Sequence, residues 1–174
     1  RHQYYDEIDY PWVMPSPNMP TLDTAIVYPG MCLLEGTQLS EARGTTRPFE
    51  LVGAPYVDGY ALRDKLLTLG LEGIAFRPTM FEPTFHKFKE QSCGGIQLHV
   101  TDRNAFNSYK TGLAVIWATK QLWPDNYKWR DGVYEFRDDE PAIDLLTGFA
   151  KVRIAIDAGE NFDTVLKHAL QGTE

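Results

Sequence analysis

The chain has 174 residues, 43% of them hydrophobic and 13% aromatic. That is enough for one domain, or one domain plus part of another, to hide roughly 70% of its unfolded surface. A net charge of −7 without a Lys/Arg run argues against nucleic acid as partner, and no apolar run approaches the roughly 20 residues of a membrane helix.

Residues 1–10 are polar and aromatic and read as a connection. Prolines at 11, 15, 17 and 20 then stiffen an extended segment that holds Asn18. A rigid segment loses little entropy on binding, which makes Asn18 a candidate ligand contact. Thr21 as N-cap and Asp23 in the first turn start a helix over 22–36, kinked or broken at Pro29-Gly30 and ended by Gly36. Leu22, Ala25, Ile26, Met31, Leu33 and Leu34 bury it. Glu35 falls in its last turn, the unfavourable end for a carboxylate. Either Glu35 has chemical work to do or Arg43 or Arg47 neutralises it. Cys32, like Cys93, lacks metal or redox spacing and reads as a buried apolar thiol.

Residues 35–50, EGTQLSEARGTTRPFE, hold three carboxylates, two arginines, four hydroxyl side chains and two glycines. Ordinary connections take about four to six residues, and longer ones tend to be functional or disordered. Apolar segments on both sides fit disorder poorly, so this stretch reads as built to grip a polar, many-hydroxyl ligand.

FELVGAPY (49–56) predicts a strand. Asp58 caps a helix through about Leu69, with Leu62, Leu66 and Leu69 on one face and Gly70 as its stop. A second strand over 71–79 is expected to end at Pro78, followed by a loop or short strand, FEPTFHKFKE, packed on the core. From Gly94-Gly95 a third strand places Ile96, Leu98 and Val100 on one face and Gln97, His99 and Thr101 on the other. Asp102 and Arg103 sit just past its end. A helix over about 108–122 buries Leu113, Ile116, Trp117 and Leu122, and WPDNYKWRDG forms an aromatic turn. Pro141 opens a helix, one around 149–158 carries Val152, Ile154 and Ile156, and the last runs to His168. Alternating strands and helices argue an α/β or α+β fold.

Glycoside hydrolysis takes two carboxyl groups about 5 Å apart for retention or about 6.5–9.5 Å for inversion. Glu35 and Glu41 satisfy either on spacing, although three carboxylates in a loop also suit an ordinary surface. Arg43 and Arg47 flank Gly44-Thr45-Thr46 and offer forked donors to a carboxylate or to sugar oxygens. A salt-bridge set with Glu41 and Glu50 is the competing reading. His99 near Asp102 is a candidate acid, base or donor, or a structural histidine. HExxH, GxSxG, P-loop and GxGxxG patterns are lacking, and no metal or organic cofactor is indicated.

W-x-MPSPNMPTLDTA, YPGMCLLEGT, LSEARGTTRPFELVGAP, the later FRP, GGIQLHVTDR and DLLTG, in this order, resemble the NamZ-type exo-β-N-acetylmuramidases from about Pro11 to Gly159. The block from Met14 to Pro55 is the most specific. The resemblance implies removal of terminal β-linked N-acetylmuramic acid from peptidoglycan fragments, at a cleft between a Rossmann-like catalytic domain and a smaller auxiliary domain. It implies that residues 1–55 close the catalytic domain and 56–174 form the auxiliary one. An N-terminal part carrying the principal catalytic glutamates is expected to precede this segment, and a helix and aromatic tail to follow it. Glu35 and Glu41 fall in the family's blocks as candidate catalytic residues. Asn18, Ser40, Arg43, Thr45, Thr46, Arg47, His99, Asp102 and Arg103 become candidate substrate contacts. A muramyl sugar and the missing N-terminal domain are the expected partners, and a periplasmic or secreted location follows from the same source. The alternative is a non-catalytic carbohydrate-binding or domain-docking module.

Overall fold

A computed structural model describes residues 3–171. Helix α1 (Leu22–Met31) starts where the Thr21 side chain accepts the Thr24 N–H, and it passes through Pro29 instead of stopping there. The missing proline N–H loosens the ladder at this point. Ser108 inserts into the gap: its hydroxyl donates to the Val27 carbonyl and accepts the Gly30 N–H. The chain then tightens into a 3₁₀ turn, Cys32–Gly36, which delivers Glu35 and ends as expected at Gly36.

Three strands follow: β1 (Leu51–Ala54), β2 (Ile74–Phe81) and β3 (Cys93–Val100). Their order is β1-β3-β2 and both pairings are antiparallel, with Gly53 opposite Gly95 and Phe76 opposite Leu98. Between β1 and β2 lies α2 (Gly59–Leu67), capped by Asp58 as expected. The expected stop of β2 at Pro78 is corrected, because the strand runs on to Phe81. Being at an edge, β2 needs no N–H on its outer side, so a proline is tolerated there.

Helix α3 (Ser108–Leu122) is buried at every position from Thr111 to Thr119. An element apolar all round belongs at the centre, and α1, α2 and the 3₁₀ turn pack around it. Shorter helices α4 (Ala142–Thr147), α5 (Ala150–Asp157) and α6 (Phe162–Ala169) close the far side. In α5, Val152 and Ile156 are buried but Ile154 faces solvent. The result is α+β, a three-stranded antiparallel sheet with helices. One apolar cluster runs from Val27 to Ala169 and includes Phe49, Val52 and Ile96, so residues on both sides of position 55 share a core.

Helices α1 and α3 touch through glycines. A Cβ at Gly112 would collide with the Gly30 carbonyl, and one at Gly30 with the Ser108 carbonyl. Backbone cannot yield as a side chain does. Gly112→Ala is expected to cost roughly 3 kcal/mol, read as a fall in the thermal midpoint. A loss below about 1 kcal/mol would show that the crossing has slack.

Candidate functional site

The polar stretch 37–50 is ordered by the sheet. Ser40 exchanges backbone hydrogen bonds with Gly53, extending the sheet beyond β1 for one residue. The buried Ser40 hydroxyl accepts the Ala42 N–H. Ala42 and Phe49 both hold left-handed backbone, φ 58° and 64°, which non-glycine residues rarely adopt. Such strain persists only where the surroundings over-determine it, and it gathers at functional sites. Here the surroundings are a network of charges.

Glu41 is at its centre, 1% exposed. Its Oε1 accepts from Arg43 Nε at 2.8 Å and lies 3.4 Å from His86 Nδ1, while Oε2 accepts from Lys87 Nζ at 2.9 Å. Lys87 also donates to the Leu34 and Leu39 carbonyls, each at 2.9 Å, so all three ammonium protons have acceptors. Burial pushes the Glu41 carboxyl up, but the Lys87 ammonium and Arg43 guanidinium outweigh it and hold it below the usual carboxylate range. For Lys87, burial pulls the pKa down against the opposing pull of Glu41. The three acceptors around Nζ hold the ammonium form.

Arg43 reaches across to the second carboxylate. Its Nη2 donates to Glu35 Oε1 at 2.5 Å, and Tyr134 donates its hydroxyl to Glu35 Oε2 at 3.1 Å. Burial and the Glu35 charge push the Tyr134 phenol well up, so it stays a neutral donor. One guanidinium therefore joins both carboxylates expected from the sequence. It lies over the Phe49 ring, 5.0 Å from the centroid, and its side chain remains 22% exposed. No hydrogen bond among the described residues uses Nη1 of Arg43.

Glu41 and Glu35 differ in access. Glu41 is ionised, as one of the two carboxyl groups of a glycosidase is, but it is buried and engaged by three nitrogen groups, and it holds Arg43 in place. Glu35, with 14% of its side chain exposed, is the member of the pair that reaches the surface.

A second group lies apart from the first. Arg47 pairs with Glu50 at 3.3 Å and lies 4.0 Å from Asp23. The buried Glu50 also accepts from Thr24 at 2.6 Å and Thr21 at 3.3 Å. Asp23, Arg47, Glu50, Gln97 and His99 line a polar cavity of about 200 Å³, which joins the 35–50 stretch to β3. The pairing of His99 with Asp102 is not formed. His99 is exposed on β3, while Asp102 accepts the N–H groups of Asn104 and Ala105 in its own turn. Arg103 is engaged by Asp6 and Glu7. Thr45 braces the loop by donating to the Ala42 carbonyl and accepting the Arg47 N–H. Thr46 is exposed, and Asn18 is half-buried with its N–H on Ser16.

Lys87 and His86 escaped the sequence reading as members of the site, and Tyr134 escaped it as the hydrogen-bond donor to Glu35. Both cysteines are free thiols; burial and Glu35 raise the Cys32 pKa, and burial and Glu82 push Cys93 up to about 11, so neither is an activated nucleophile. Among the described residues no group of three or more His, Cys, Asp or Glu could hold a metal, and no helix is long and apolar enough to cross a membrane.

Residues 26–174 match the family described as exo-beta-N-acetylmuramidase NamZ, C-terminal. The peptidoglycan beta-N-acetylmuramidase NamZ of Bacillus subtilis (strain 168) is 40% identical over 166 residues, covering 95% of this chain and 38% of that protein. Crystal structures of two DUF1343 family proteins from Bacteroides fragilis NCTC 9343 are similar. One has TM-score 0.81 and 27% identity over 97% of this chain and 43% of the other, and the second has TM-score 0.59 and 25% identity over 89% and 38%. The chain thus spans about two fifths of the length of these relatives.

Proposed function

The chain belongs to the exo-β-N-acetylmuramidase NamZ family, in its C-terminal part, and from that premise we propose that it is the sugar-recognising half of a peptidoglycan exo-muramidase. The observation that carries this reading is Arg43, fixed on two carboxylates with Nη1 unengaged and part of its surface open. Muramic acid differs from other N-acetylhexosamines by a lactyl carboxylate, and a pre-set guanidinium suits such a group. The charges of Glu35, Glu41, Arg43 and Lys87 sum to zero, so an incoming anion meets no net repulsion. Pre-organisation by Glu41 and Lys87 lowers the entropy lost on binding.

Glu35 faces the same opening and contacts the bound sugar, while the remaining carboxyl chemistry comes from the N-terminal part of the whole protein. Peptidoglycan fragments as substrate put the protein in the periplasm or outside the cell. A calorimetric titration of this chain with N-acetylmuramic acid and with N-acetylglucosamine tests the reading, alongside hydrolysis of a chromogenic β-N-acetylmuramic acid glycoside. Binding selective for muramic acid without turnover is expected. Lack of binding would overturn the proposal. Turnover by this chain that Glu35→Gln abolishes would move the acid into this segment and replace the recognition-half reading with an enzymatic one.

A further inference from the structure

Residues 133–137 form a two-residue hairpin that breaks the local rules for its turn. Tyr134 and Arg137 exchange both backbone hydrogen bonds, at 2.8 and 2.9 Å. The two residues between them, Glu135 and Phe136, both hold left-handed backbone, φ 47° and 68°. Asn-Gly and Asp-Gly are the sequences that favour such a turn. Phe136 is 98% exposed and Val133 is 57% exposed, so the strained tip returns almost no packing to the fold. A residue that strains its backbone and is left in water is explained by a contact outside the chain.

The root of the hairpin is held firmly. Arg130 N–H donates to the Gly36 carbonyl, Gln38 N–H donates to the Lys128 carbonyl, and Thr37 and Trp129 form an antiparallel bridge. Arg130 lies over the Tyr134 ring at 5.1 Å, and the Tyr134 hydroxyl reaches Glu35. The tip is therefore built onto the segment that carries Glu35. Phe136 lies two residues beyond Tyr134, at most about 7 Å of chain, a distance on the scale of one pyranose ring. An open groove of about 460 Å³ flanks the base of the hairpin, lined by Trp129, Arg130, Val133, Asp139 and Glu140 among others but not by Phe136.

We propose that Phe136 is an aromatic platform for the sugar that follows the terminal muramic acid, its ring face stacking on the next pyranose. The proposal rests on the muramic-acid reading given above. A carbohydrate suits the surroundings better than a protein partner. Interface centres gather apolar residues and exclude charge, whereas Phe136 stands as one ring among Glu135, Arg137, Asp138 and Asp139, of which all are exposed.

The test compares this chain's affinity for N-acetylmuramic acid with that for a disaccharide carrying a second β-linked N-acetylhexosamine. The wild-type chain is expected to prefer the disaccharide by about fivefold, the size of one aromatic contact. Phe136→Ala should erase that preference and leave monosaccharide binding unchanged, and Phe136→Trp should keep it. The pair Glu135→Asn with Phe136→Gly supplies a relaxed turn, and should raise the thermal midpoint while losing the preference. If Phe136→Ala keeps the preference, or the wild-type chain has none, the platform is wrong and the muramic-acid reading stands. If neither sugar binds the wild-type chain, that reading fails and the platform with it. A change in self-association as the sole effect of Phe136→Ala would assign the tip to a protein contact and overturn the proposal.

Discussion

Lys87→Met is expected to be among the most destabilising single substitutions in the molecule. It removes a buried ammonium that serves the Glu41 carboxylate and two backbone carbonyls at once, at Leu34 and Leu39. Breaking a buried pair from one side costs about 3–5 kcal/mol, because the surviving charge stays desolvated. In a domain of this length that lowers the midpoint by on the order of 10 °C. Glu41→Gln added to Lys87→Met should recover part of the loss, since the orphaned charge is then gone and only polar groups lack partners. The pH dependence has a definite sign. Glu41 has its folded pKa below the unfolded value, so its contribution is present above the ordinary carboxylate range and lost as pH falls through the folded value. The wild-type chain should therefore weaken on acidification by more than the Lys87→Met variant does. Thermal melts across that range check both parts. A loss under about 1 kcal/mol for Lys87→Met, or equal acid sensitivity in the two proteins, would show that Arg43 alone sustains Glu41.

The same network shows what local sequence can and cannot carry. Thr21 and Asp58 were legible as caps, and α3 as a helix over 108–122, because caps and periodicity act within a few residues. The run through Pro78 was not, since tolerance of that proline depends on β2 lying at an edge, a property of the whole sheet. The stretch 35–50 was legible as one rich in paired charges, and Arg43 was one of the two arginines offered as neutraliser of Glu35, a role it takes in the structure. The stretch's division into two groups was not legible, because β1 and β3 draw Arg47 and Glu50 toward α1 while Arg43 turns toward the hairpin. His99 and Asp102 are near in sequence, yet the Asp102 side chain finds the N–H groups of its own turn first, a local competition that aspartate commonly wins. Lys87 had a faint signal: it stands between aromatics in TFHKFKE, where a long stem can run along apolar surface. Its three acceptors come from residues 34, 39 and 41, some 46 to 53 positions earlier, and no spacing rule reaches that far.

Arg43→Lys should separate charge from geometry at the proposed muramic-acid contact. The guanidinium uses Nε for Glu41 and Nη2 for Glu35 and still presents Nη1. A lysine is a point charge on a flexible stem and cannot bridge both carboxylates while offering a further pair of donors. With the bridge gone, Glu35 is released from its place while Glu41 keeps Lys87, so the buried centre survives and the midpoint should fall by only about 1–2 kcal/mol. Binding should suffer far more. Losing charge-assisted hydrogen bonds to the lactyl carboxylate is worth roughly 1.5–3 kcal/mol, a tenfold to hundredfold loss of affinity for N-acetylmuramic acid. N-acetylglucosamine, which lacks the lactyl group, serves as the internal control and should bind both proteins equally weakly. Calorimetric titration of the two sugars against both proteins, with a thermal melt of each, decides the matter. Undiminished muramic-acid binding would remove Arg43 from the site. An equal loss for both sugars would mean that Arg43 acts by ordering the loop, and that selectivity for muramic acid arises elsewhere.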